Sequence, residues 1–169
     1  DINKPINVTV TYKLVESNTN DAFALDSKNG LHEHANVNDN GGYDADYWGK
    51  INVNDWNYTT NGNTITIDSY KGTIPASVII PNGADFGFID GNIVEINKYV
   101  MLQLANAATR IGISKTANNK VAVNTDDLSK VFYNKPNLMQ MDLHNLDTSN
   151  VTDMNHMFAS ASSLTTIGD

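Results

Sequence analysis

Between Asn36 and Asp46 the sequence sets oxygen-bearing side chains at short, regular spacing: Asn36, Asn38 and Asn40, then Gly41, then Asp44 and Asp46. Oxygen ligands at the first, third and fifth positions with Gly at the sixth are what wrap a chain around a hard cation, so calcium is the one cofactor this loop suggests. Tyr47 stands where such a loop needs a bidentate Glu, and the three leading ligands are amides, which lowers the charge offered to the ion. An ordinary Asx-rich turn uses the same residues. His32 and His34 fall on one face of a strand, but zinc requires at least a third ligand and no other His lies near in the sequence.

A second group sits just beyond. Tyr43, Tyr47, Trp48, Trp56 and Tyr58 crowd into sixteen residues beside Asn and Asp. Aromatic faces next to amides and carboxylates suit sugars, whose C–H faces stack while their hydroxyls hydrogen-bond, so these five are the candidate ligand-binding residues. The half-buried core of a small β domain has the same composition. Paired carboxylates for glycoside hydrolysis exist at Asp44/Asp46 and Asp126/Asp127, but loop solvation explains the first pair and helix capping the second. There is no nucleophile elbow, P-loop or dinucleotide fingerprint, and with no Cys there is no thiol nucleophile. No catalytic residue is assigned, and the reading is non-enzymatic.

The elements that would hold these groups follow from hydrophobic periodicity. Residues 6–15 alternate apolar and polar, the mark of a half-buried strand with Ile6, Val8, Val10, Tyr12 and Leu14 on one face. Asn61-Gly62 predicts a hairpin turn into a strand at Thr64–Ile67, and a further strand is expected at Ser77–Ile80. After Asn82-Gly83 the character changes. Asn97 predicts the cap of a helix over Tyr99–Ala108, followed by strands at Arg110–Ser114 and Val121–Val123. A second helix is predicted from Thr125 through Tyr133, stopped by Pro136, and a strand at Leu138–Leu143. The five Met residues, Met101, Met139, Met141, Met154 and Met157, read as core.

Charge narrows the partners. The chain of 169 residues carries a formal charge of -8. Residues 1–97 hold five Lys and thirteen acids, and residues 98–169 six basic and six acidic side chains, so the whole acidic excess lies in the first part. Arg110 is the single Arg, and no basic stripe exists to neutralise phosphates, so charge disfavours nucleic-acid binding and no nucleic-acid partner is expected. No apolar run is long enough for a membrane-spanning helix, so no membrane insertion is expected of this segment. Sixteen Asp, 25 Asn and 15 Thr favour turns and exposed strands over helices. Such a Cys-free, acidic composition suits a secreted β-rich protein of a Gram-positive bacterium. Beginning at Asp1 rather than Met, the chain is expected to be a processed piece.

The tail repeats itself. At a period of 26, Asp127, Leu128, Val131, Phe132, Leu138 and Met141 fall opposite Asp153, Met154, Met157, Phe158, Leu164 and Ile167. Every apolar position stays apolar, as expected where each unit buries its apolar side only against neighbours. The stretch Asn145–Phe158, reading NLDTSNVTDMNHMF and continuing to SLTTI at Ser163–Ile167, closely resembles the bacterial surface protein 26-residue repeat of the BspA-like leucine-rich-repeat proteins, a variety abundant in lactobacilli. The resemblance is strong from Asp127 and looser back to about residue 60.

That resemblance implies an extracellular, cell-surface protein, commonly an adhesin binding host mucus glycoproteins, matrix proteins or other cells. The expected fold is α+β: a β-rich N-terminal domain, about residues 1–85, capping the start of an α/β leucine-rich-repeat-like solenoid, about 86–169, with about two 26-residue repeats. The expected function is adhesion. The alternatives are a structural cap or spacer whose ligand site lies elsewhere, and an appendage of a carbohydrate-active enzyme. An uncapped last repeat would further allow an end-to-end dimer.

Overall fold

The structure is a computed structural model that describes residues 25–26, 30–31, 40–87 and 93–168. The chain forms two compact units, Asp1–Val37 and Asn38–Asp169. In the first, β1 (Leu25–Asp26) pairs antiparallel with β2 (Gly30–Leu31). The strand expected at residues 6–15 and the His32/His34 pair lie outside the described residues.

The second unit is a mixed α/β structure built on two parallel-rich sheets. It opens with the one-turn helix α1 (Ala45–Trp48). The hairpin β3 (Trp56–Asn61) and β4 (Thr64–Tyr70) follows, turning at Gly62, whose φ of 58° the Asn-Gly dipeptide anticipates. Next come β5 (Ser77–Ile80), β6 (Ile93–Ile96), α2 (Lys98–Ala107), β7 (Arg110–Ile113), β8 (Val121–Val123), β9 (Gln140–Asp142), β10 (Leu146–Asp147) and β11 (Thr166–Ile167). From β4 onward the strands go alternately to two sheets. One has the order β10-β8-β6-β4-β3, and the other β11-β9-β7-β5. Every pairing in both is parallel except β3 with β4. Each pass of the chain thus lays one strand on each sheet. Both sheets run on across residue 85, so strands on either side of the composition boundary share the same hydrogen-bonded ladders.

The register explains the core. Ile65, Val94, Val121 and Leu146 stand beside one another, as do Ile67, Ile96 and Val123. In the second sheet Val78, Ile111 and Met141 are aligned. All of these are buried between the sheets together with Val100, Met101, Leu104 and Ala105 of α2. Strands buried on the inner face place β-branched residues at alternate positions, which is why short four-residue strands suffice. Asn97 caps α2 as predicted, its Oδ1 accepting the Val100 amide at 3.0 Å.

The second predicted helix is absent. Residues 125–135 instead form a run of turns, with the backbone of Lys130 and Asn134 in the left-handed region. The reason lies in where the amides go. Those of Val131 and Tyr133 close turns onto Leu128 and Lys130, whereas those of Leu128, Lys130, Phe132 and Asn134 donate to the carbonyls of Asp153, Asn155, Met157 and Ala159 in the next pass. Alternate amides that bind a neighbour are unavailable for helical bonds within the segment. The next pass copies this geometry, with His156 and Ser160 left-handed in turn. Asp127 and Asp153 form a parallel bridge. The rings of Phe132 and Phe158 stack at 5.4 Å and 13°. Thr152 and Thr165 each give both the amide and the hydroxyl to the carbonyl of the preceding pass, at Asp126 and Met139, 26 residues back. The repeat read from the sequence is therefore a physical register.

Two Met residues depart from the expectation. Met101, Met141 and Met157 are buried, but Met139 and Met154 are exposed. Met139 lies just before β9 at the loop end, beside Thr109 and Thr165 of the adjacent passes, its amide donating to the Thr109 carbonyl and its carbonyl accepting the Thr165 amide. Met154 and Ile167, at 43% and 48% exposure, lie on the last pass, while their period-mates Leu128 and Met141 are fully covered. Substituting Leu138 by Ala removes a fully buried side chain and should cost about 2–5 kcal/mol in urea unfolding. The same change at its half-buried period-mate Leu164 should cost markedly less; equal losses would contradict the covered-and-uncovered reading of the two passes.

The first turn of α2 is tied to the turn run by Lys98, whose Nζ meets Asp127 Oδ2 at 2.9 Å. That ion pair, with the Ser129 amide and hydroxyl, draws the Asp127 carboxyl down to about 2. Because the folded value is depressed, its contribution to stability is complete above the ordinary value of 3.8 and is lost as pH falls through about 2. An NMR titration of the Asp127 carboxyl should find this low midpoint, and Lys98→Met should raise it toward the ordinary value.

Candidate functional site

Sheet alternation places Ser77, Arg110, Gln140 and Thr166 in one row across β5, β7, β9 and β11, opposite the buried row of Val78, Ile111 and Met141. The next outward row is Ile79, Gly112 and Asp142. Residues 40–51 cover part of this outer face. Tyr43, Trp48 and Ile79 form a small apolar cluster with Ile51 packed against it. The Tyr43 ring lies directly over Gly112, where a Cβ would come within 2.9 Å of the ring carbon Cζ, so only Gly fits. The Tyr43 hydroxyl donates to the Ile113 carbonyl at 2.8 Å and accepts the Ile113 amide at 3.1 Å. Burial, and then the nearby Asp142 carboxylate, push the Tyr43 phenol far above its usual value.

The five sequence-selected aromatics separate into two groups. Tyr43, Trp48 and Trp56 are buried, and Trp56 packs edge-on against Tyr70 at 5.0 Å. Their faces are spent on packing rather than offered to a ligand. Tyr47 and Tyr58 are exposed but belong to different surroundings. Tyr58 projects from the edge strand β3 and packs against Phe86 at 4.9 Å. Tyr47 lies on the outer face of the other sheet, where the Arg110 guanidinium stacks 4.0 Å from its ring centre and its hydroxyl donates to Gln140 Oε1 at 3.0 Å. Arg110 Nη1 donates to Ser77 Oγ at 2.8 Å. Tyr47, Arg110, Gln140 and Ser77 therefore form one connected polar surface group. Arg110, Gln140 and Ser77 escaped sequence reasoning because their convergence comes from parallel register between strands about thirty residues apart.

The calcium-like loop resolves differently from its sequence pattern. Asn36 and Asn38 lie outside the described residues. Asn40 is buried, its Nδ2 donating to the carbonyls of Tyr43 and Gly49 and its Oδ1 accepting the Ile51 amide at 2.7 Å. Gly41 has a φ of +66°, and its position meets the Ser114 side chain, so Gly at the sixth place serves backbone packing. Asp44 caps α1, accepting the amides of Asp46 and Tyr47, while Asp46 is exposed. These contacts make Asn40 and Asp44 parts of a backbone-organising turn, already occupied by protein donors. Among the described residues no three His, Asp or Glu side chains gather as a metal site. Nor is any described helix long and apolar enough to cross a membrane.

Beyond this group, Lys115 bonds Asp142 at 2.6 Å and lies 5.1 Å from the Tyr43 ring centre. At the corner between the sheets, Asn82 and Asn145 are fully buried and both donate to the Ser114 carbonyl. These corner amides satisfy backbone groups that the short loops would otherwise bury unpaired.

Residues 100–167 match the family model described as Mycoplasma protein of unknown function, DUF285. The match spans α2 through β11, the part of the chain in which the passes repeat. No curated protein and no solved structure matches the chain.

Proposed function

We propose that this chain is a non-catalytic adhesion module of a bacterial cell-surface protein, forming the first passes of a leucine-rich-repeat-like solenoid and binding host mucus glycoproteins or matrix protein. The observation that carries the proposal is the 26-residue register between residues 126–141 and 152–167, in backbone bonds, hydroxyl bonds and ring stacking alike. A strictly repeated register is how a chain extends a surface one pass at a time, and an extended surface binds through many weak contacts. The DUF285 match over the same stretch supports a repeat-protein reading, and the surface-repeat sequence resemblance supports an extracellular setting.

A second reading, the structural cap or spacer, is favoured by β3. Among the described residues it is the one antiparallel strand in the larger sheet, and it closes the edge of β4 where the parallel ladder begins. Binding of the purified chain to immobilised mucin and to fibronectin separates the two readings. Adhesion predicts saturable binding to at least one, and absence of binding to both would assign recognition to another segment. With the chain at -8, mucin binding should strengthen between pH 7 and about pH 4.5 as carboxylates begin to protonate. A profile flat over that range would sink the charge argument.

An end-to-end dimer through the last pass is part of the same proposal. Met154 and Ile167 supply its apolar contact. The amides of Met154, His156, Phe158 and Ser160 have no acceptor among the described residues. A two-fold dimer would set these donors against donors, so the contact has to be apolar and weak. Light scattering should show a concentration-dependent dimer that Ile167→Lys abolishes; a strict monomer at high concentration would remove it.

A further inference from the structure

The outer-face group around Arg110 has the chemistry of a ligand site, and we propose that it binds a carboxylate-bearing sugar residue of a glycoprotein. This rests on the adhesion reading and names the ligand class and the place.

Arg110 is the only guanidinium in the chain. Among the described residues it meets no carboxylate: the ion pairs there are Lys98 with Asp127 and Lys115 with Asp142. Its position is nonetheless fixed, by the Tyr47 ring beneath it and by Ser77 Oγ on Nη1. Among the described residues Nε and Nη2 meet no acceptor, and neither is a buried unsatisfied atom, so both reach solvent. A guanidinium held flat with two donors free along an edge matches a carboxylate bidentately, and little side-chain entropy remains to be lost on binding.

The surroundings favour a sugar over an acidic peptide. Tyr47 is 49% exposed and offers apolar ring surface beside the cation. Gln140 accepts from Tyr47 through Oε1, and its Nε2, with no acceptor among the described residues, is placed to donate to a hydroxyl. Thr166, next in the row, is exposed and supplies a further hydroxyl partner. A carboxylate, a C–H face and hydroxyls are together the features of an acidic monosaccharide. An acidic peptide would use the cation alone. The nearby acids do not oppose the ligand strongly: Asp142 on the next outward row is neutralised by Lys115, and Asp44 is engaged in capping α1.

The rival role for Arg110 is a staple holding α1 to the sheet, and the test separates the two. The full chain is titrated by NMR with 3′-sialyllactose and with lactose, reading the Tyr47 ring and Arg110 Nε resonances. Binding of sialyllactose with a dissociation constant of about 1 mM or tighter is expected, with lactose at least about tenfold weaker. Arg110→Lys keeps the charge and the stacking but loses the fork; it should weaken sialyllactose binding about tenfold while leaving the near-ultraviolet circular dichroism unchanged. Tyr47→Phe, which keeps the ring, should retain the preference for the acidic sugar. Equal response to both sugars, undiminished binding by Arg110→Lys, or equal competition by a short Glu peptide would each overturn the site. Mucin binding that survives both sialidase treatment and Arg110→Lys would overturn it too, while leaving adhesion itself standing. Loss of all mucin and fibronectin binding by the unmodified chain would instead overturn the adhesion reading.

Discussion

The structure depends on parallel register between successive passes of the chain. A parallel ladder with inward residues aligned places each apolar side chain beside its counterpart in the next pass, so Ile65, Val94, Val121 and Leu146 make one continuous buried row. The other features serve to keep that alignment. Thr side chains fasten a pass to the carbonyl before it, the Phe132 and Phe158 rings lie face to face, and the corner Asn residues absorb the backbone groups of tight loops. A slip by one residue would turn an inward row outward and break all of these at once, which is why short strands hold a single arrangement.

The same alignment creates the outer surface. Inward residues fixed at Val78, Ile111 and Met141 oblige Ser77, Arg110 and Gln140 to stand in a row outside. Part of that face is then covered by residues 40–51, whose Tyr43 needs Gly112 beneath it. Tyr47 comes to Arg110 as part of the same covering segment. The polar group is thus a consequence of core packing on one side and of a docked loop on the other.

Much of this was legible in the sequence, and the unevenness has physical causes. The 26-residue period was plain because stacked passes must repeat the same apolar positions, and the hairpin at Asn61-Gly62 and the cap at Asn97 are local signals. The strand β6 and the sheet pairings were not, because the register spacing shortens from Ile65–Val94 to Val94–Val121 to Val121–Leu146, and a fixed period cannot find partners at varying separation. The predicted second helix failed because Lys130 and Asn134 adopt a backbone that propensity reserves mainly for Gly and Asn, held there by bonds to the following pass. Of the candidate site residues, composition found Tyr47 but could not separate it from Tyr43, Trp48 and Trp56, whose burial is decided by tertiary packing. Asn40 resembled a metal ligand because the donors that organise a turn and the oxygens that hold a cation are the same atoms.

One asymmetry has a mechanical meaning. The flank formed by α2 satisfies its own amides, whereas the turn run after β8 is held largely by bonds into the following pass. If the following pass is pulled away, the turn run loses its acceptors at Asp153, Asn155, Met157 and Ala159, whereas α2 keeps its internal bonds and gives up packing and side-chain pairs such as Lys98–Asp127.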